Sequence, residues 1–352
     1  MLAFVNWDVN PELVNLFGRE IRWYGLCWAV GILCTSYFIR KMYEYEKQPE
    51  KLFDRLFLYV VIGLIVGARL GHCLFYDPVH YLSHPLELFK IWEGGLASHG
   101  GAIGMTLAVC FYAQSISRQK INWKQFSIFG LIGLLLGVRL GYCIFDAPEV
   151  YLQNPLKIFM LWDGGYSTIG AFLGLLLGLC VYMVYLTREM TISVLDRLVV
   201  GVAIGAAFIR IGNLMNSEIY GGPTSMPWGF NFVRDRNWHL PLEMGGAGEL
   251  PCHPTQLYEA LIYLVIFGAT MYLFYKTNAK EKRGLILGIS LIGIFFSRFL
   301  IEYIKYVQEP FEIQMRDTIG MNMGQLLSLP FIIWGVCLIY NSLKTNKQST
   351  QK

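Results

Sequence analysis

Apolar residues in this chain fall into blocks close to 20 residues long, and the stretches between them carry most of the charge. An α-helix needs about 20 residues to cross roughly 30 Å of hydrocarbon. The pattern predicts membrane-spanning helices over 23–39, 54–76, 95–115, 125–145, 165–186, 194–212, 256–275, 284–303 and 324–341. The expected fold is an all-α polytopic membrane protein with about nine spans.

Composition sharpens this picture. The 352 residues are 55% hydrophobic and 15% charged, where a soluble domain carries about a quarter charged residues. The 36 glycines suit helices that pack closely in lipid. The first span has no small-residue cleavage site after it and is expected to be retained. The eight cysteines form no C-x-x-C pair and mostly fall inside spans. They read as small buried apolar residues rather than a metal or redox centre.

Charge placement sets the expected sidedness. Basic residues follow the first span (Arg40, Lys41, Lys47, Lys51), the third (Arg118, Lys120, Lys124), the seventh (Lys276, Lys280, Lys282, Arg283) and the ninth (Lys344, Lys347, Lys352). The loops at 77–94 and 146–164 hold only Lys90 and Lys157. Basic loops favour the cytoplasm, so the N-terminus is expected outside and the C-terminus inside.

Part of the chain is written twice. GARLGHCLFYDPVHYLSHPLELFKIWEGGLASHGGAIG begins at Gly67, and GVRLGYCIFDAPEVYLQNPLKIFMLWDGGYSTIGAFLG begins at Gly137, 70 residues later and without a gap. Shared Leu and Phe mean little between apolar sequences, but the shared Arg, Pro, Trp and Gly-Gly positions mark a duplication. The copies are assigned to 51–120 and 121–190. Each supplies a helix out, a short amphipathic outer loop at the membrane surface and a helix back. Two added spans leave the sidedness of the rest unchanged. The second copy has Ile169 where the first has His99.

Ionisable residues inside spans are costly and mark functional sites by default. Arg69, Arg139, Asp196, Arg210, Arg298 and Glu302 fall in this class. Almost all map toward the outer side, with Tyr24, His99 and His253 at the same level; Asp196, with Arg197 beside it, is the exception near the inner end of its span. That suits a site open to the outer leaflet better than a midplane transport site. The stretch FIRIGNLMNSEIYGG at 208–222 is the densest in polar groups. Arg210 and Asn213 share a helix face, and an Arg fork beside an amide suits phosphate or carboxylate oxygens. Arg298 and Glu302 are four apart and read equally as an ion pair or as a site pair. His99 precedes two glycines, so a headgroup could approach it closely; alone it reads as readily as a helix-start residue.

Together, RWYGL (22–26), GARLGHCLFY (67–76), WEGGLASHGG (92–101), IRIGNLMNSEIYG (209–221), HPTQLYE (253–259), SRFLIEY (297–303) and MGQLLSLP (323–330) resemble the prolipoprotein diacylglyceryl transferase family of bacterial inner-membrane enzymes. The resemblance covers nearly the whole chain; the second copy is extra to the family's usual seven spans. It implies transfer of the diacylglyceryl unit of phosphatidylglycerol to the lipobox cysteine of a prolipoprotein signal peptide, with release of glycerol 1-phosphate. The expected partners are these two substrates and membrane lipid. No nucleic acid, cofactor or metal is expected.

The resemblance, taken with the residue chemistry, gives His99, Arg210, Arg298 and Glu218 as catalytic candidates. Tyr24, Arg69, Asn213, Gly221, His253 and Glu302 are the substrate-binding candidates. His99 is the leading base, with Glu218 and His253 competing. Segment 213–255 is expected to form a periplasmic head. The chain departs from the family pattern at Ile209, Leu214 and Ile294, where Gly, Phe and Tyr are usual. A transporter or flippase of an anionic lipid or solute is the competing reading.

Overall fold

The computed structural model describes residues 4–16, 19–76, 78–90, 95, 97–117, 120–143, 150–151, 154–160, 164–241, 246–306, 315–316 and 320–350. The chain divides into two compact units, Pro49–Val194 and Met1–Gln48 with Leu195–Lys352.

Helices dominate: α1 (Trp23–Tyr45), α2 (Glu50–Phe75), α3 (Pro78–Ser83), α4 (Ser98–Ser117), α5 (Trp123–Gly141), α6 (Thr168–Met215), α7 (Arg236–His239), α8 (Thr255–Lys276), α9 (Leu285–Ile301) and α10 (Met323–Thr350). Five stretches among the described residues are long and apolar enough to cross a membrane, and α9 is a shorter apolar helix. The protein is therefore multi-pass and helical. The first and last helices run past the expected span ends, to Tyr45 and Thr350, and one expected link between spans is helical. Residues 187–193, read as the link between two spans, are helical within α6. Their polar side chains lower the hydropathy, but no Gly or Pro lies between Gly178 and Gly201 to break the helix.

The unit Pro49–Val194 is built twice on one plan. Glycines spaced by four bring α2 against α4 and α5 against α6. A methyl on Gly67 would lie 2.8 Å from the Gly104 α-carbon, and one on Gly137 2.8 Å from the Gly174 nitrogen. No side chain fits there, which is how small residues let lipid-embedded helices touch. The Ala97 amide donates to the Ala68 carbonyl at 2.9 Å, and the Ser167 amide to Val138 at 3.1 Å. The buried Tyr112 hydroxyl donates to the Leu52 carbonyl, as Tyr182 does to Asn122. Every one of these pairs recurs at the 70-residue offset.

In the other unit, α1 meets α6 where the Thr35 hydroxyl donates to the Gly201 carbonyl at 2.7 Å. Arg197 holds Glu46 at 2.7 and 2.9 Å. Asp196 accepts the Gly284 and Leu287 amides at 2.6 and 2.8 Å. It thereby caps α9, whose first amides have no partner of their own, and this accounts for the one polar residue that fell apart from the rest. Short strands complete the unit. β1 (Val5–Asn6) pairs in parallel with β4 (Phe230–Asn231), and β2 (Glu12–Leu16) pairs antiparallel with β3 (Arg19–Arg22). Leu214, Tyr220, Phe230, Phe232, Trp238, Ala247 and Cys252 form a buried cluster there, with Trp7 against it.

Candidate active site

Arg210 lies near the end of α6, one turn before Asn213. Its Nη1 donates to the Asn213 Oδ1 at 3.3 Å. Asn213 passes the connection on, donating through Nδ2 to the Glu218 Oε1 at 2.8 Å. Asn216 reaches the same oxygen at 3.3 Å. The chain leaves the helix here through positive φ at Ser217 and Ile219, which turns Glu218 back toward the end of α6. Gln256, in the first turn of α8, fixes the turn by donating to the Glu218 carbonyl at 2.8 Å.

Arg210 also faces α8. Its Nε stands 2.9 Å from Glu259 Oε2. The other Glu259 oxygen accepts from Lys305 at 3.0 Å, and Lys305 also donates to Glu302 at 3.1 Å. Asn322, just before α10, donates to the second Glu302 oxygen at 3.1 Å, and Gln325 braces Asn322 through paired hydrogen bonds. Arg298 lies 3.6 Å from Glu302. A path of contacts thus runs from Glu218 through Asn213, Arg210, Glu259, Lys305 and Glu302 to Arg298.

Burial explains why the path is continuous. Glu259 and Gln256 are 1% and 0% exposed, and a charge that deep must be paired or hydrogen-bonded. Three cations face three carboxylates, so the group is neutral as wired. Lys305 and Asn322 occupy the Glu302 carboxylate. Arg298 is left with its longer contact and a side chain 38% exposed. It is the most open cation of the set. Buried Gln256 Oε1 and Asn216 Oδ1 have no hydrogen-bond partner among the described residues.

Of the sequence candidates, Arg210, Asn213, Glu218, Arg298 and Glu302 come together in this network. Gly221 lies beside it. Its amide donates to the His253 carbonyl at 2.8 Å, and a methyl there would fall 2.7 Å from the Ile304 carbonyl oxygen. Tyr24 packs on Gly212, where an added methyl would meet its ring at 2.9 Å. The His253 Nδ1 lies 3.2 Å from the Tyr258 hydroxyl. Burial pushes that imidazole below its ordinary value, toward the neutral form. Neighbouring Cys252 is pushed up to about 12, chiefly by burial. Burial thus disfavours its thiolate, the nucleophilic form.

Arg69 belongs to the other unit. It donates to the carbonyls of Leu88, Gly95 and Glu87 at 3.0, 3.3 and 2.6 Å. His99 is the second residue of α4, and its side chain lies outside the described residues. Glu259, Gln256 and Gln325 entered the sequence reading only inside the HPTQLYE and MGQLLSLP stretches, with no role given, and Lys305 and Asn322 were missed. Lys305 could have been found: it stands three residues beyond Glu302, on the same face of a helical turn.

A multi-pass helical membrane protein that gathers arginines, carboxylates and amides near its helix ends carries the kind of donors that recognise anionic groups. The chain belongs to the prolipoprotein diacylglyceryl transferase family, whose model matches residues 11–126 and 115–341. It is similar to proteins named phosphatidylglycerol–prolipoprotein diacylglyceryl transferase in three bacteria. The one from Porphyromonas gingivalis is 41% identical over 97% of this chain and 96% of its own length. Those from Chloroherpeton thalassium and Bacteroides fragilis are 34% and 35% identical, over the same shares.

Proposed function

We propose that this chain transfers the diacylglyceryl group of phosphatidylglycerol to the lipobox cysteine of prolipoproteins, an early step in lipoprotein maturation. Full-length likeness to transferases of that name carries the reading, and the charged network supports it. The cysteine sulfur bonds to the glycerol carbon that carries the phosphate, the carbon–oxygen bond breaks, and glycerol 1-phosphate leaves with the electron pair. A base takes the thiol proton.

Each part of the network has work in this step. The departing phosphate gains negative charge, and fixed donors in a dry site stabilise such charge most. Arg210 and Arg298 fill that role, Arg298 from its open side. Glu259, Lys305 and Glu302 hold the two arginines in place. Gln256 Oε1 and Asn216 Oδ1 suit the headgroup hydroxyls, which are donors. Tyr24, Asn213, Gly221 and His253 shape the binding surface. The base is assigned to His99 on sequence grounds, with Glu218 and neutral His253 as the competitors. The site faces the periplasmic side of a bacterial inner membrane, the N-terminus lies outside, the C-terminus lies in the cytoplasm, and 213–255 forms the head that receives the precursor.

The test uses purified protein with phosphatidylglycerol vesicles and a lipobox peptide. Glycerol phosphate is expected only when the peptide carries its cysteine. Arg210→Ala, checked for folding, should lower kcat/KM by about 10²–10³-fold, the usual loss for one such donor. Normal turnover in that variant removes the phosphate role. Vesicle uptake without any release points instead to a transporter or flippase.

A further inference from the structure

The most exposed large apolar side chains among the described residues are not on a spanning helix. They are Leu86 (78%), Leu156 (76%), Phe159 (76%) and Phe89 (74%). They form two pairs 70 positions apart, one in each repeat copy. Each pair stands at i and i+3 of a 3₁₀ turn, Pro85–Phe89 in the first copy and Pro155–Phe159 in the second. Side chains at that spacing eclipse in a 3₁₀ turn, so each pair makes a single short ridge.

The backbone of each ridge is gripped by a buried arginine. Arg69 is 5% exposed and donates to the carbonyls of Glu87 and Leu88. Arg139, also 5% exposed, donates to Lys157, Ile158 and Met160 at 2.7, 3.0 and 2.8 Å, and to Gly164. Each guanidinium lies 5.2 Å from the centre of a tyrosine ring, Tyr81 or Tyr151. A cation inside a span is expensive. Both copies keep one, and both aim it at the same two carbonyls of the turn, Glu87 and Leu88 in one copy and Lys157 and Ile158 in the other. The arginine fixes the turn, and the turn displays the ridge.

We propose that the two ridges are wedges inserted among the acyl chains at the membrane surface, and that the second copy is kept as a second lipid-gripping unit. Three observations select lipid over a protein partner. Each ridge follows a spanning helix of its own copy, α2 or α5, and so starts at bilayer level. Charged residues share each turn, with Glu87 bonded to His80 and Lys90 in one copy and Lys157 in the other. Apolar side chains beside charged neighbours suit the headgroup boundary. Finally, residue identities on the ridge are kept as Leu and Phe while the polar positions change from copy to copy, as fits a partner without sequence. The proposal stands on one unit and does not rest on the transferase reading.

The test places a photoreactive phenylalanine analogue at 86, 89, 156 or 159 in the full chain, in native membranes, followed by mass spectrometry. The analogue is aromatic, and the sites are exposed, so folding should persist; four separate positions guard against one that fails. Lipid adducts are expected at all four. Yields should be lower with the analogue at Glu87 or Lys157, which share the turn but not the ridge. Adducts at 156 and 159 that are mainly to protein, or lipid adducts confined to 86 and 89, overturn the proposal.

Discussion

The two repeat copies keep the same packing and differ in their histidines. Shared between them are the four-spaced glycines, the buried tyrosines Tyr112 and Tyr182 and the arginine clamps at Arg69 and Arg139. The histidines are not shared. His72, His80, His84 and His99 are four of the six in the chain, and their counterparts are Tyr142, Val150, Asn154 and Ile169. Helix contact and loop clamping need every one of the retained groups, because each fills a space or satisfies a buried donor or acceptor. Proton transfer needs a group that titrates near neutral pH. The second copy has kept what builds a helical hairpin and none of the histidines that could serve chemistry.

The strongest way to break this contrast is at the histidine that differs. His99→Ala should lower the rate of thioether formation by about 10²–10⁴-fold, the range for losing a general base. Ile169→Ala should leave it within about twofold, since no chemistry is assigned there. Ile169→His should not rescue the His99→Ala variant. Rescue would show that the copies are interchangeable, and the division of roles would be wrong.

A smaller effect tests what they share. Arg69→Gln and Arg139→Gln each strand the carbonyls of a 3₁₀ turn. Both should destabilise the protein by about 2–4 kcal/mol, as when charged hydrogen bonds in a buried setting are lost. Thermal unfolding in detergent reads this directly. The expectation that Arg69 binds substrate adds a sharper comparison. If it does, kcat/KM will fall further in the Arg69 variant than in the Arg139 variant at a temperature where both are folded. The clamp alone predicts equal losses.

Much of this was legible in the sequence, for reasons that also mark the limit. The duplication shows because Arg, Pro, Trp and Gly-Gly positions recur at one offset. Arg210, Asn213, Glu218, Arg298 and Glu302 stand out because charge and amides inside apolar blocks need a cause. Glu259 and Lys305 escaped because they sit at helix ends, where polar residues are ordinary; only the fold shows that Glu259 is buried between two cations. Residues 187–193 misled for the opposite reason. Hydropathy reports which surroundings a side chain prefers, whereas helix continuity depends on the backbone, and nothing there interrupts it. Arg69 and Arg139 were visible as costly charges, but their carbonyl partners lie 18 to 26 positions away and become neighbours only on folding.

The smallest expected effect separates the copies by acid alone. Glu87 is held below the ordinary carboxylate range, first by its hydrogen bond from His80 and then by that from Lys90. His80 stacks on His84, with ring centres 4.9 Å apart, so cationic or titratable groups surround the carboxylate. A carboxyl depressed on folding stabilises the native state above its unfolded value, near 4.3 for Glu. That stabilisation disappears as pH falls through the lower folded value. The second copy has Lys157 in place of Glu87 and Val150 in place of His80, so it has no such carboxylate to protonate. Amide exchange over 80–90, corrected for intrinsic rates, should therefore rise relative to 155–160 as pH drops from about 5 toward 3.5, the range set by the ordinary Glu value. Glu87→Gln should remove the pH dependence. Loosening of both loops together would mean that acid acts on something common to the copies, and that the outer loops differ less in their electrostatics than their sequences imply.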